Sequence, residues 1–222
     1  MDLDFSPITD SWSFLLEGLY VTIKLTLAAF VIGGSFGLLL ALGRMSALTP
    51  LRLACAALIN FVLATPVIVH LFVLYYGLPI FLGYSPPGFE VLVLVLGLNQ
   101  TVIMAENYRA GLQAVPPGIR DAAHVLGMSR IQTLRHVLVP LALRYTIPPM
   151  TSSIVNLIKD SSIATFIGVI DLTDVGRKIA LESFRPIEVF SAIALGYFII
   201  SYPIVLLADY LERRLRAPLL RT

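Results

Sequence analysis

The sequence predicts an all-α integral membrane protein of five transmembrane helices, with its N-terminus outside and its C-terminus in the cytoplasm. Three observations carry this. The 222 residues are 57% hydrophobic and 14% charged, with a mean hydropathy of +0.86; soluble domains carry about 25% charged residues. Apolar runs recur at the length of ~20 residues that a helix needs to cross the hydrocarbon core. The basic residues also gather into three segments that fit one face of a membrane, because cytoplasmic segments hold the excess of Lys and Arg. Arg44 and Arg52 flank the first loop. Arg109, Arg120, Arg130, Arg135 and Arg144 fill a central insert, and Arg213, Arg214, Arg216 and Arg221 fill the tail. Asp2, Asp4, Asp10, Glu17, Glu90 and the acidic stretch 160–188 fall to the other face.

Each element follows in order. The first ten residues, MDLDFSPITD, are acidic and have no basic n-region, so the first apolar segment is expected to remain as an anchor. The first span is placed at 19–42. Lys24 lies near its start, where a long side chain reaches the interface. Gly33, Gly34 and Gly37 offer small residues about one turn apart for close helix packing. The second span, 53–82, has Pro66 in its middle and is long enough to tilt or kink. A turn at 83–88 leads to the third span, 89–112, apolar at first and polar later. The fifth, 189–211, ends in the basic tail. Between them, 138–170 has no clean apolar run: Arg144, Asn156, Lys159 and Asp160 interrupt it and Pro148-Pro149 breaks it. The insert and the tail share a face, so the chain between them crosses an even number of times. An interrupted fourth span is therefore required within 138–170.

The polar groups in these spans are costly in hydrocarbon and are expected to face a bundle interior or a water-filled cavity. Asn99, Gln100, Thr101, Glu106, Asn156, Lys159 and Asp160 fit a pathway lined by the third and fourth spans. The plainer alternatives are hydrogen bonds between helices for the amides and hydroxyls, and an interfacial ion pair for Lys159 with Asp160. Glu106 and Arg109, three apart, share a helix face and read as a salt bridge. His70, alone among Val69, Leu71 and Phe72, reads as a hydrogen-bonded helix contact. The single Cys55 excludes an internal disulfide and reads as core filler. His124 and His136 have no supporting ligand spacing. Catalytic elbows, HExxH helices and phosphate-binding GxxxxGK[ST] loops are absent from the sequence. If work here needs ATP, another polypeptide must bind it.

The segment between the third and fourth spans carries the most information. It is polar and basic, reads as helical, and centres on Asp121-Ala122-Ala123, Gly127 four residues on, and Val137-Leu138-Val139-Pro140. A structured polar insert on one face of a membrane protein offers a docking surface. This pattern resembles the EAA loop of permease subunits of bacterial ABC importers, in the polar amino acid uptake family. Asp stands for the usual Glu, Val137 for Ile and Val139 for Leu. The flanking Gly111-Leu112-Gln113-Ala114-Val115-Pro116, Gly127-Met128-Ser129, Leu141-Ala142-Leu143-Arg144, Lys159-Asp160-Ser161-Ser162 and Asp171-Leu172-Thr173 extend the similarity over nearly the whole chain. The second span departs from the family, reading Asn60-Phe61-Val62-Leu63-Ala64-Thr65-Pro66 without the usual acidic and basic residues, although Thr65-Pro66 remain.

The resemblance implies a type I ABC importer permease fold and a multi-pass location in a bacterial inner membrane. It implies a second permease copy or paralogue, a cytoplasmic ABC ATPase dimer, an extracytoplasmic substrate-binding protein and surrounding lipid, with no nucleic acid. ATP and Mg would bind the ATPase, and this chain would hold no cofactor and catalyse nothing. The coupling loop, 113–137, would form two short helices seated on the ATPase through Asp121, Ala122, Ala123, Gly127, Met128, Ser129 and Arg130. The substrate would be a polar or charged L-amino acid, with Thr65, Asn99, Glu106, Asn156, Lys159 and Asp160 as candidate pathway residues. The competing class is a channel or secondary transporter for a small polar solute, which needs neither ATP nor such a loop.

Overall fold

The computed structural model describes residues 3–216, and every regular element among them is helical. Asp2 and Arg221, which the charge argument places on opposite faces, lie outside the described residues. A short helix α1 (Ser6–Asp10) leads into α2 (Trp12–Arg44). At 1.5 Å per residue α2 is about 50 Å long. Hydrocarbon is ~30 Å thick, so even a strong tilt leaves part of this helix outside it.

The next two helices are α3 (Thr49–Ala64) and α4 (Val67–Leu82), which meet at 102°. The kink expected at Pro66 is thus a full break. Proline lacks an N–H and pushes the residue before it out of helical geometry, and Thr65 has the extended values φ −109°, ψ 133°. α5 (Gly88–Gln113) returns as one long helix, followed by α6 (Pro117–Val125) and α7 (Arg130–Thr133). A π-helical turn, Leu134–Leu138, runs straight into α8 (Val139–Asp160).

Here the structure corrects the sequence. Pro148 and Pro149 do not break the fourth segment, because α8 passes through both. Each proline removes one backbone donor, which leaves the Arg144 and Tyr145 carbonyls without their helical partner; nearby hydroxyls bond to other carbonyls of the helix. Thr146 Oγ1 reaches Ala142 O at 2.9 Å, Thr151 Oγ1 reaches Ile147 O at 3.0 Å and Ser152 Oγ reaches Pro148 O at 3.3 Å. α8 packs along both α5 and α10. The chain leaves α geometry later, in a 3-10 helix over Ser161–Ile167. It then forms α9 (Leu172–Ser183) and α10 (Pro186–Arg216), the last being the second helix of great length.

α2, α5 and α10 are each long and apolar enough to cross a membrane. The α3–α4 pair, and the segment from Arg130 to Ser183 with its 51° bend, qualify only as bent spans, so the candidate spans number three to five among the described residues. The organising contact is α2 along α5. A Cβ on Gly33 would lie 2.4 Å from Gln100 Cγ, and one on Gly37 would lie 2.6 Å from Met104 Cβ. Gly97 on α5 reciprocates against Ile32. Gly34 faces aside, where Tyr108 donates to its carbonyl at 3.2 Å.

The main core gathers Leu25, Leu71, Val91, Leu92, Leu96, Leu157 and Ala164 around this axis. A smaller core ties the start of α2 to α9 and α10 through Leu15, Leu172, Val175, Ile179, Val189 and Ile193. The molecule therefore has two ends. One holds α1, the start of α2, α9 and the start of α10; the other holds α6, α7 and the start of α8. Cys55 is not core filler but half-buried, its Sγ filling the space beside Gly43. His70 is buried, as a helix contact should be. It makes no hydrogen bond, however: its ring lies tilted on Phe61 at 5.9 Å, and neither ring nitrogen has a partner.

Candidate functional site

At the α6–α7 end the chain builds a compact pair of short helices. α6 starts with Pro117 at its first position, where a missing N–H costs nothing. It ends in a Schellman turn. Gly127 adopts φ +72°, its N–H reaches His124 O at 3.0 Å, and the Met128 N–H reaches Ala123 O at 3.1 Å. Two residues later a capping box starts α7: Gln132 N–H donates to Ser129 Oγ at 3.3 Å, and Ser129 N–H donates to Gln132 Oε1 at 2.9 Å. The turn is thus specified by three residues, Gly127, Ser129 and Gln132. It exposes Val125, Leu126 and Ile131, which are 88%, 79% and 77% accessible.

The residues named for the loop fall on distinct sides. Ala123 is buried, and Met128 is half-buried. Asp121, Ala122, Gly127, Ser129 and Arg130 are exposed. Of the two alanines, Ala122 is available for close approach from outside, whereas Ala123 serves the internal packing of the loop.

The six pathway residues do not converge on one point. Asn99 and Glu106, seven apart on α5, share a half-buried stripe beside the face that meets α2. Glu106 accepts from Arg109 Nε at 3.0 Å, and Arg109 also donates to Gln113 Oε1 at 2.7 Å, so the salt-bridge alternative describes this pair. Gln100 bridges helices, donating to Ser153 Oγ at 2.9 Å, and Thr101 donates to Gly97 O of its own helix. On α8, Asn156 and Lys159 are exposed and Asp160 is half-buried. No ion pair joins Lys159 to Asp160 among the described residues. Lys159 instead lines a groove of about 510 Å³ between α8 and α10, with Tyr197, Phe198, Ser201 and Tyr202.

Thr65 sits half-buried at the α3–α4 break, its hydroxyl donating to Phe61 O at 2.9 Å. Among the described residues the N–H groups of Val67 and Ile68, at the start of α4, have no backbone partner and no side chain caps the helix.

A buried polar network at the opposite end went unread as such in the sequence. Asp171 caps α9, accepting from the Asp174 N–H at 2.9 Å. Tyr197 of α10 donates to Asp171 Oδ2 at 3.1 Å, and the Leu172 N–H donates to Thr22 Oγ1 of α2 at 3.2 Å. Asp174 pairs with Arg177 at 2.8 Å and Lys178 at 2.7 Å. Three helices are locked here by groups far apart in sequence. The local signal was an Asp directly before a helical run with an acid three residues on; the Thr22 and Tyr197 partners carry no such signal.

Comparison with known proteins gives a consistent result. The family model described as "Binding-protein-dependent transport system inner membrane component" matches residues 33–217. The chain is 35% identical over 205 residues to the L-cystine transport system permease protein TcyB of Bacillus subtilis (strain 168), covering 92% of this chain and 87% of that protein. It is 31% identical over 217 residues to the glutamine transport system permease protein GlnP of Escherichia coli (strain K12), covering 97% and 99%. A crystal structure of an amino acid ABC transporter with histidines superposes with a TM-score of 0.90 at 34% identity, covering 96% of this chain and all of that one.

Proposed function

The chain belongs to the family of binding-protein-dependent transport system inner membrane components, and from that premise we propose how it works as the permease subunit of an ABC importer. It carries a polar or charged L-amino acid across a bacterial inner membrane by alternating access. In this reading there are five spans, two of them bent, with the α1/α9 end outside and the α6–α7 end in the cytoplasm, an orientation supported by the basic segments at the latter. A second permease copy or paralogue completes the membrane unit. A substrate-binding protein delivers from outside. A dimer of ATPases binds ATP and Mg, which this chain has no glycine loop to hold.

The observation that carries the mechanism is the α6–α7 pair. Its tip is apolar, exposed and closed by a fixed turn, so it is built to seat in a groove and transmit force. When ATP draws the ATPases together, the pair moves with them. The continuous π turn and α8 carry that displacement into the membrane, and the spans rock as rigid bodies. Ala122, Gly127, Met128, Ser129 and Arg130 form the seat, with Asp121 beside it. Thr65, Asn99, Asn156, Lys159 and Asp160, with Glu106 held by Arg109, remain the candidates for the path of the substrate. The broken α3–α4 span belongs there too, because unpaired backbone at membrane depth is tolerated only along a cavity or within protein.

The test is uptake by proteoliposomes holding this chain with its ATPase and binding protein, using a panel of labelled amino acids with and without internal ATP. ATP-dependent accumulation of one polar amino acid is expected. Gly127→Asp is expected to leave membrane insertion intact and abolish uptake while ATP hydrolysis continues. Normal uptake by that variant would overturn the coupling role.

A further inference from the structure

We infer that the cleft between α6 and α7 is a socket for a carboxylate: Arg120, His124 and Arg130 receive an acidic side chain of the ATPase subunit. This rests on the coupling reading above and adds the charge and the residues of the surface it meets.

The cleft measures about 360 Å³ and is lined by Arg120, His124, Arg130, Thr133, Leu134 and Leu138. Arg120 and His124 lie four apart on α6 and so share a face. The Gly127 turn folds α7 back and brings Arg130 to the same cleft. No acid lines it. Asp121, the only carboxylate of the loop, lines a neighbouring groove with Met45, Gln113 and Pro116; Arg120 borders both cavities, but no ion pair joins it to Asp121 among the described residues.

Neither arginine serves the fold. Arg109, Arg177 and Arg185 each hold a carboxylate partner, whereas Arg120 and Arg130 form no ion pair among the described residues and are exposed. Two guanidiniums converging on one cleft repel each other until an anion enters. A carboxylate suits them because the guanidinium fork binds it through two parallel hydrogen bonds.

The neighbouring exposed Val125, Leu126 and Ile131 argue for protein as the occupant. Seated in a groove, they would exclude water around the ion pair and strengthen it. A lipid surface draws basic residues by diffuse charge and needs no shaped cleft.

The experiment measures binding of the purified ATPase to the full-length permease in nanodiscs, as a function of salt and of anionic lipid content. For the charge reversal R120E/R130E, at least a tenfold loss of affinity is expected, with a flatter salt dependence. R120K/R130K keeps the charge and the fold and should lose less, because the bidentate geometry goes while the attraction stays. Changing single acids to Lys in the ATPase docking groove should identify one variant that restores binding of R120E/R130E. The socket is overturned if R120E/R130E, with an unaltered melting temperature, binds the ATPase as the parent does. If Gly127→Asp still uncouples in that case, the coupling reading survives without the socket; if Gly127→Asp also transports normally, both fail. An effect of the two arginines confined to nanodiscs rich in anionic lipid assigns the cleft to a headgroup and likewise overturns the proposal.

Discussion

Gly33 and Gly77 are both glycines inside helices, and the structure gives them opposite expectations. A side chain at Gly33 meets Gln100, including its backbone carbon at 2.9 Å, so α5 itself would have to move. Gly33→Val is expected to cost at least about 1–3 kcal/mol through overpacking and to lower the melting temperature in detergent. Gly77 on α4 has nothing within 4 Å of its added Cβ. Gly77→Ala should be neutral or stabilising by up to ~1 kcal/mol, because alanine restricts the unfolded chain and favours the helix. Equal melting temperatures for the two variants would refute this description of the α2–α5 contact. Spacing alone revealed Gly33 and Gly37, since small residues one turn apart have few other uses in a span. It could not separate them from Gly34, whose neighbours depend on the rotation of α2. Phe184 is a different case. It ends α9 at φ +57° and is 88% exposed, so an aromatic stands where glycine would be unstrained. Phe184→Gly should therefore not destabilise the fold.

The α6–α7 turn is over-determined by local chemistry, which is why it was legible as an element. The Schellman glycine and the Ser129–Gln132 box lie within six residues and need no distant partner. Ser129→Ala should destabilise the turn by ~1 kcal/mol, and Gly127→Ala should add backbone strain of similar size. Hydrogen exchange at the amides of Met128 and Gln132 would quicken in both variants while the amides of α5 stay protected. Unchanged exchange would show that the turn is held by packing instead. The α8 prolines read wrongly for the converse reason. Their effect was outweighed by the packing of α8 against α5 and α10, which a propensity does not register. The break at Pro66 was legible in place but not in size, because a bend of 102° depends on what α4 packs against.

The helical class of the whole chain followed from composition. The assignment of its two ends to opposite faces rests on charge placement, and it is directly testable. In a Cys55→Ser background, a cysteine at Thr9 is expected to react with a membrane-impermeant maleimide added to intact cells, and one at Arg213 only after permeabilisation. The reverse pattern would invert the topology. The pathway residues were the least legible part of the site. Nothing in the sequence tied these positions to one another, and in the structure Asn99 is half-buried on α5 while Asn156 and Lys159 are exposed on α8.

The α3–α4 break carries one more consequence. In the proposed topology Arg52 would mark the cytoplasmic interface at the start of α3, and Thr65, thirteen residues on, would sit ~20 Å into the bilayer at 1.5 Å per residue. There the N–H groups of Val67 and Ile68 stand without partners on a surface that is exposed or half-buried. Left against hydrocarbon, each would cost several kcal/mol. In that topology a copy made without its partners would leave those two donors facing lipid, and its persistence would depend on how soon they are covered.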